Sequence, residues 1–215
     1  YSNRVVSNFL EKSAENGIEI FRTFDALNDF ENIDFTIREV KRIGKHAQGT
    51  MAYTTSPVHN LNTWIDLAKK IEDAGADSLA IKDMAGLLRP FDAYELVKNL
   101  KSTLSIPIHM QTHATTGMST ATNMKAIEAG IDNIDTSISS LSMTYGHTAT
   151  ETMLAIFENQ QQEINLDLSA LEEVSIFFKE IRDKYSEFEG NLKGVDSSML
   201  VKQVPGGMMS NLESQ

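Results

Sequence analysis

The chain has 215 residues, 41% of them hydrophobic and 23% charged, which is enough to bury a real core in one large domain or two small ones and excludes a disordered chain. Its formal net charge of −11 argues against nucleic acid or an anionic membrane surface as a partner, because like charge repels both. No apolar run approaches the roughly 20 residues that span a bilayer, no charged-then-apolar leader opens the chain, and the absence of cysteine removes disulfides and thiolate metal sites, so the cytoplasm is the expected compartment.

The opening YSNRVVSNFLEKSAENG predicts a helix with Val5, Val6, Phe9 and Leu10 on one side and Gly17 as its stop. A chain that opens inside a helix, before any strand for it to cover, is expected to be part of something longer. IEIFRTFDA follows as the first strand candidate, then HAQGTMAYT at 46–54, DSLAIKDM at 77–84, IPIHMQTH at 106–113 and NIDTSIS at 133–139. Amphipathic stretches alternate with them: DFENIDFTIREVKRIG, NTWIDLAKKIEDAG, FDAYELVKNLKSTL and TATNMKAIEAG, most closing on glycine or a turn. The strands recur about every 25–32 residues, the pitch of βα units, which demands parallel pairing through crossover helices. Near-equal units without a nucleotide-type glycine loop favour a (β/α)8 TIM barrel over a doubly wound sheet. The chain is then expected to hold about the last five units. From about residue 160 the pattern turns helical, with LSALEEVSIFFKEIRDKYSEF the longest run, then polar GNLKGVDSSMLVKQ and the turn VPGGM. The expected division is a partial barrel over 1–158 and an appended helical region over 159–215.

Active-site groups of such barrels sit at the C-terminal ends of the strands. Polar residues collect there: Arg22 and Asp25 on the first strand, Lys82 and Asp83 on the third, Gln111 and His113 on the fourth, Asp135 and Thr136 in the fifth. In SLAIKDM the alternation puts Ala80, Lys82 and Met84 on one face and Leu79, Ile81 and Asp83 on the other. A lysine inside a parallel strand requires its charge to be paired or removed, since burial disfavours the ammonium. Two readings are open: a salt bridge to a carboxylate such as Asp25, or a catalytic or ligand role. In PIHMQTHATTG the spacing puts His109, Gln111 and His113 on one face, as a strand presents ligands. His113 lies at the strand end, whereas His109 lies deeper and reads as a core histidine. Gln111 fits less well, because an amide oxygen is a weak ligand for the metals that imidazole favours. Thr115, Thr116 and Gly117 form a loop that approaches a small anion or simply caps a helix. His147 lies in a hydroxyl-rich stretch of ordinary loop composition, and His46 and His59 read as surface residues.

The stretches GIEIFRTFDALND, YTTSPVH, IKDMAGLLRP, THATTGMS, TSISSLSMTYGHTATE and VPGGMMSNLESQ together resemble the biotin-dependent carboxyltransferase family, which includes the oxaloacetate decarboxylase α subunit, the carboxyltransferase part of pyruvate carboxylase (a domain or a separate subunit), and the transcarboxylase 5S subunit. YTTSPVH and MTYGHTATE look closest to the decarboxylase type. The resemblance implies a (β/α)8 barrel with a funnel of extra helices and a divalent metal (zinc, manganese or cobalt) at its mouth. Lys82 matches the family's carbamylated lysine ligand and His113 the second histidine of a His-x-His pair, while Gln111 occupies the position of the first. Arg22, Asp25 and Thr116 are the weaker substrate-contact candidates. The family's Arg-Asp-x-His-Gln motif is expected before Tyr1 and its proton-shuttling threonine after Gln215. Implied partners are oxaloacetate or pyruvate, biotin on a separate carrier domain, a further copy in a homo-oligomer, and for the decarboxylase type membrane subunits. Two other readings stay open: a metal-dependent aldolase or acyl-CoA lyase on a related barrel, and a non-catalytic remnant that lost its metal through Gln111.

Overall fold

The computed structural model describes residues 1–158, 164–204 and 208. Its centre is a single parallel sheet in the order β1 (Ile20–Thr23), β2 (His46–Ala52), β3 (Ser78–Asp83), β4 (Ile108–Thr112) and β5 (Asn133–Ile134). Strand order follows chain order without a reversal, which is the winding of a barrel and not of a doubly wound sheet. In a flat sheet β1 and β5 would lie about 19 Å apart, four spacings of about 4.8 Å. Yet Arg22 of β1 donates from Nη1 to Asp135, just past β5, at 2.5 Å. The sheet therefore curls into an arc that brings its ends within reach across the inner face.

Helices α1 (Asn3–Glu15), α2 (Phe30–Arg42), α3 (Leu61–Asp73), α4 (Pro90–Thr103) and α5 (Ser119–Glu128) precede or connect the strands. Each of the first three crossover helices buries a stripe at helical spacing: Ile33, Ile37 and Val40 on α2, Trp64, Ala68 and Ile71 on α3, Ala93, Leu96, Val97 and Leu100 on α4. These meet the outward residues of the strands, including Phe21, Met51, Leu79, Ile81, Ile108 and Met110, in one core. Starts follow local chemistry. Asp29 accepts from the Glu31 N–H and Asn60 from the Thr63 N–H, while Pro90 occupies the first turn of α4. Gly44, Gly75 and Gly130 follow α2, α3 and α5, as the helical patterns predict.

Two elements depart from the sequence reading. The fifth strand, expected over 133–139, is only two residues long, because past Met110 the edge of β4 is taken by the loop before Thr150, which bonds the Thr112 carbonyl and the Ala114 N–H; the chain beyond β5 pairs Ser137 N–H with Thr148 O at 3.0 Å and Thr150 N–H with Ser137 O at 2.8 Å. A helix that the sequence reading did not separate, α6 (Thr150–Phe157), completes the fifth unit. Beyond it α7 (Leu168–Lys184), started by Asp167, and the short α8 (Met199–Lys202) form the appended region. This region returns to the C-terminal end of the sheet: Asp196 N–H donates to Thr115 O at 2.8 Å and Gln203 Nε2 to Thr55 Oγ1 at 3.1 Å. The expected boundary at 158/159 and most of VPGGM lie outside the described residues.

Candidate active site

The inner face of the arc follows from strand register. Arg22 pairs with Gln48, Ala52 with Lys82, Ala80 with His109 and Lys82 with Gln111, so alternate residues of all strands point the same way. A hydrogen-bonded network fills the lower part of this face. Asp135 accepts from Arg22 Nη1 and Nη2, at 2.5 and 3.4 Å, and lies 2.5 Å from His109 Nε2, while Arg22 Nε donates to Gln48 Oε1 at 2.6 Å. Burial works against the Asp135 charge, but the His109 and Arg22 bonds outweigh it and hold the carboxyl well below the usual range. His109 is thus a satisfied inner-face residue, as its depth suggests.

Above this network sit Lys82, Gln111 and His113. Lys82 is half-buried and its side chain makes no ion pair or hydrogen bond among the described residues; its ammonium lies 5.0 Å above the Phe24 ring. Burial, and then the nearby Arg22 charge, lower its pKa against the pull of Asp135. Gln111 is 3% exposed and its Oε1 has no hydrogen-bond partner among the described residues, an arrangement that costs about 1–3 kcal/mol unless something fills it. His113 Nδ1 lies 2.6 Å from Tyr145 O; a carbonyl only accepts, so Nδ1 carries the proton and Nε2 keeps its lone pair. That is the tautomer of a metal-ligating histidine whose other nitrogen is held by a backbone carbonyl.

The other expected site residues are engaged elsewhere. The Lys82–Asp25 salt bridge does not form. Asp25 is turned to its own loop, where its carboxylate accepts from Leu27 N–H, Asp29 N–H and Asn32 Nδ2 at 2.8–3.1 Å, bonds that lower its pKa. Thr116 donates to Gly86 O at 2.6 Å, joining the loops after β3 and β4. Their approach is close: a Cβ on Gly86, whose φ is +66°, would stand 2.7 Å from His113 O, so only glycine fits there. Asp83 points outward and is fully buried; it accepts from Leu87 N–H, Leu88 N–H and Thr112 Oγ1 and shapes the loop beside Lys82. Asp135 belongs to the network and Gln48 joins it. Among the described residues no group of three or more His, Asp or Glu side chains is placed to hold a metal ion. Lys82, Gln111 and His113 lie together at the ends of β3 and β4, above the network.

Burial, helped by the His147 and Lys82 charges and only partly offset by the Tyr145 bond, brings the His113 pKa down to about 4. The folded state holds the neutral ring and the unfolded chain protonates first, so the contribution is full above about pH 6.5 and is lost as pH falls toward 4, by up to about 3 kcal/mol. Urea unfolding of the metal-stripped full-length protein at pH 7 and pH 4.5 should show that loss, and His113→Gln should remove most of it. Equal pH dependence in both proteins would assign the loss to other groups.

The HMGL-like family pattern matches residues 18–177. Over its whole length the chain is 47% identical to the methylmalonyl-CoA carboxyltransferase 5S subunit of Propionibacterium freudenreichii subsp. shermanii and spans 43% of it. It is 45% identical to a pyruvate carboxylase subunit of Methanocaldococcus jannaschii and spans 38% of that protein. The fold superimposes, with TM-score 0.97 and 33% identity, on the carboxyl transferase domain of Rhizobium etli pyruvate carboxylase solved with pyruvate, covering 100% of this chain and 38% of that one. The chain thus spans about two fifths of the length of these relatives, and its curled parallel sheet is part of a carboxyltransferase-type TIM barrel. It belongs to the HMGL-like family.

Proposed function

We propose that this chain carries the metal-binding part of a carboxyltransferase site, which exchanges a carboxyl group between oxaloacetate or pyruvate and biotin tethered on a carrier domain. The observation that carries the reading is the cluster of three unused donors at the ends of β3 and β4: Lys82 without a counter-ion among the described residues, Gln111 with an orphaned oxygen, and His113 with a free Nε2. The similarity to carboxyltransferases and pyruvate carboxylases supports it.

Lys82 is suited to carbamylation. Its lowered pKa raises the share of neutral amine, whose nitrogen lone pair bonds the carbon of CO2 while one N–H proton leaves to solvent. An ammonium in a partly buried site thereby becomes an anionic oxygen donor. A divalent ion held by Lys82, Gln111 and His113 would polarise a keto oxygen and stabilise enolate charge. Arg22 then has a supporting role: with Asp135 and His109 it forms the polar floor under these donors. The carrier-bound biotin takes or gives the carboxyl group, and we read the subunit as cytoplasmic, working in a larger assembly that for a decarboxylase includes membrane subunits.

The test is oxaloacetate decarboxylation by the full-length subunit with its metal, with and without free biotin, counting pyruvate formed. Biotin-stimulated turnover is the expected result. No turnover on either oxaloacetate or pyruvate with carboxybiotin would favour a non-catalytic barrel, and biotin-independent cleavage of a hydroxy-acyl substrate would favour a lyase.

A further inference from the structure

The end of β4 is closed by an unusual strap. β5 stops at Ile134 and its last bond to β4 is Asp135 N–H to Met110 O at 2.8 Å, so beyond Met110 that edge of β4 has no strand partner among the described residues. The loop before α6 takes the place of one. His147 Nδ1 donates to Thr112 O at 3.1 Å, Ala114 N–H donates to Gly146 O at 2.9 Å, and His113 Nδ1 donates to Tyr145 O at 2.6 Å. The two imidazoles are reciprocal: each ties itself to backbone beside the other, with ring centroids 4.8 Å apart. The loop is tightly wound. Met143 and Thr144 take φ of +59° and +49°, Gly146 N–H donates to Met143 O, Met143 N–H to His147 O, and the Thr148 hydroxyl bonds Ser119 Oγ at 2.8 Å.

We propose that His147 is a positioning residue for His113. By drawing the loop onto the Thr112 carbonyl, it holds the Tyr145 carbonyl against His113 Nδ1 and so keeps the proton off Nε2, the nitrogen that faces metal duty. Free neutral imidazole side chains in water favour the opposite tautomer, with the proton on Nε2, so the strap has a preference to overcome. The inference rests on the reading of His113 as a ligand, but the tautomer itself is measurable without metal.

The experiment uses the full-length subunit with 15N-labelled histidine, stripped of metal, and long-range 1H–15N spectra in which His113→Gln identifies the His113 signals. The wild type should show His113 as the Nδ1–H tautomer. His147→Leu, which fills the same space without a donor, should shift His113 toward the Nε2–H form, and His147→Asn, whose amide N–H reaches a similar point, should restore it. Added Co2+ gives the second reading: affinity from its visible absorption should fall about 10- to 100-fold in His147→Leu, the scale for losing a ligand-orienting partner, and return to within a few-fold in His147→Asn. A wild-type His113 protonated on Nε2, or a tautomer unchanged in His147→Leu, overturns the proposal. So does a His147→Asn protein that keeps the tautomer yet loses Co2+, since His147 would then be a ligand. Should the wild type bind no Co2+, the metal reading fails and the spectra alone decide the role of His147.

Discussion

Replacing Lys82 by alanine in the full-length subunit is expected to abolish metal retention and turnover together while leaving the fold intact. The Lys82 side chain contributes no ion pair or hydrogen bond among the described residues, and its half-buried ammonium is opposed by desolvation and by Arg22. Its removal should therefore cost little stability, within about 1 kcal/mol, because no partner is stranded. Its loss as a carbamate ligand should weaken divalent-metal binding by more than about 100-fold, beyond the range seen when only a ligand's supporting partner is removed. Decarboxylation should then fall by at least about 1,000-fold, the scale of losing the main electrostatic stabiliser of a developing oxyanion. Lys82→Arg is the informative companion: guanidinium stays charged and does not react with CO2, so it should be as inactive as alanine. Elemental analysis after gel filtration and the pyruvate assay read the two effects. A Lys82→Ala protein that keeps its metal, or a tenth of its turnover, would remove Lys82 from the site.

Gln111→His is expected to change which metal the site prefers. Gln111 is the Cα partner of Lys82 in the β3–β4 register, and its unpartnered Oε1 is an oxygen donor already stripped of water. With a carbamate oxygen from Lys82 the site offers two oxygens and one imidazole, a set that suits manganese-like ions better than zinc. An imidazole at position 111 restores a second nitrogen on the inner face of β4. Zinc affinity relative to Mn2+ should rise by about 10- to 100-fold, read by competition between the two ions against a metal indicator. Gln111→Leu should weaken every divalent ion while stabilising the fold, because it replaces an unsatisfied buried acceptor by an apolar group of similar size. If the Zn/Mn preference is the same in wild type and Gln111→His, the amide is not a ligand and its orphaned oxygen needs another explanation.

Much of this protein was legible along the chain because its signals are local. The 3.6-residue stripes of α2, α3 and α4, the caps at Asp29 and Asn60 and the glycine ends of α2 and α3 depend on neighbours a few positions away. The two-residue period of a strand likewise fixes which face Lys82, His109, Gln111 and His113 share, so the cluster at the ends of β3 and β4 could be anticipated, and Lys82 stood out because a charged residue inside a strand demands a physical reason. Even Asp25 carried a local signal that favours its loop over Lys82: an aspartate two and four residues before the N–H groups of Leu27 and Asp29, which it caps.

What only the tertiary structure decided are contacts between residues distant in sequence, where no pattern along the chain reports who is opposite. The curl of the sheet brings Arg22 to Asp135, 113 positions away. That bond, with His109, makes a polar floor of residues that the strand-end pattern treats one by one. The length of β5 depends on where the loop before α6 takes over the edge of β4, and that loop places His147, from a hydroxyl-rich stretch of ordinary loop composition, against His113. Local alternation could put His113 on the right face of β4. Which of its nitrogens is free depends on a carbonyl 32 positions further along the chain, and only the closing of that loop on the sheet settles it.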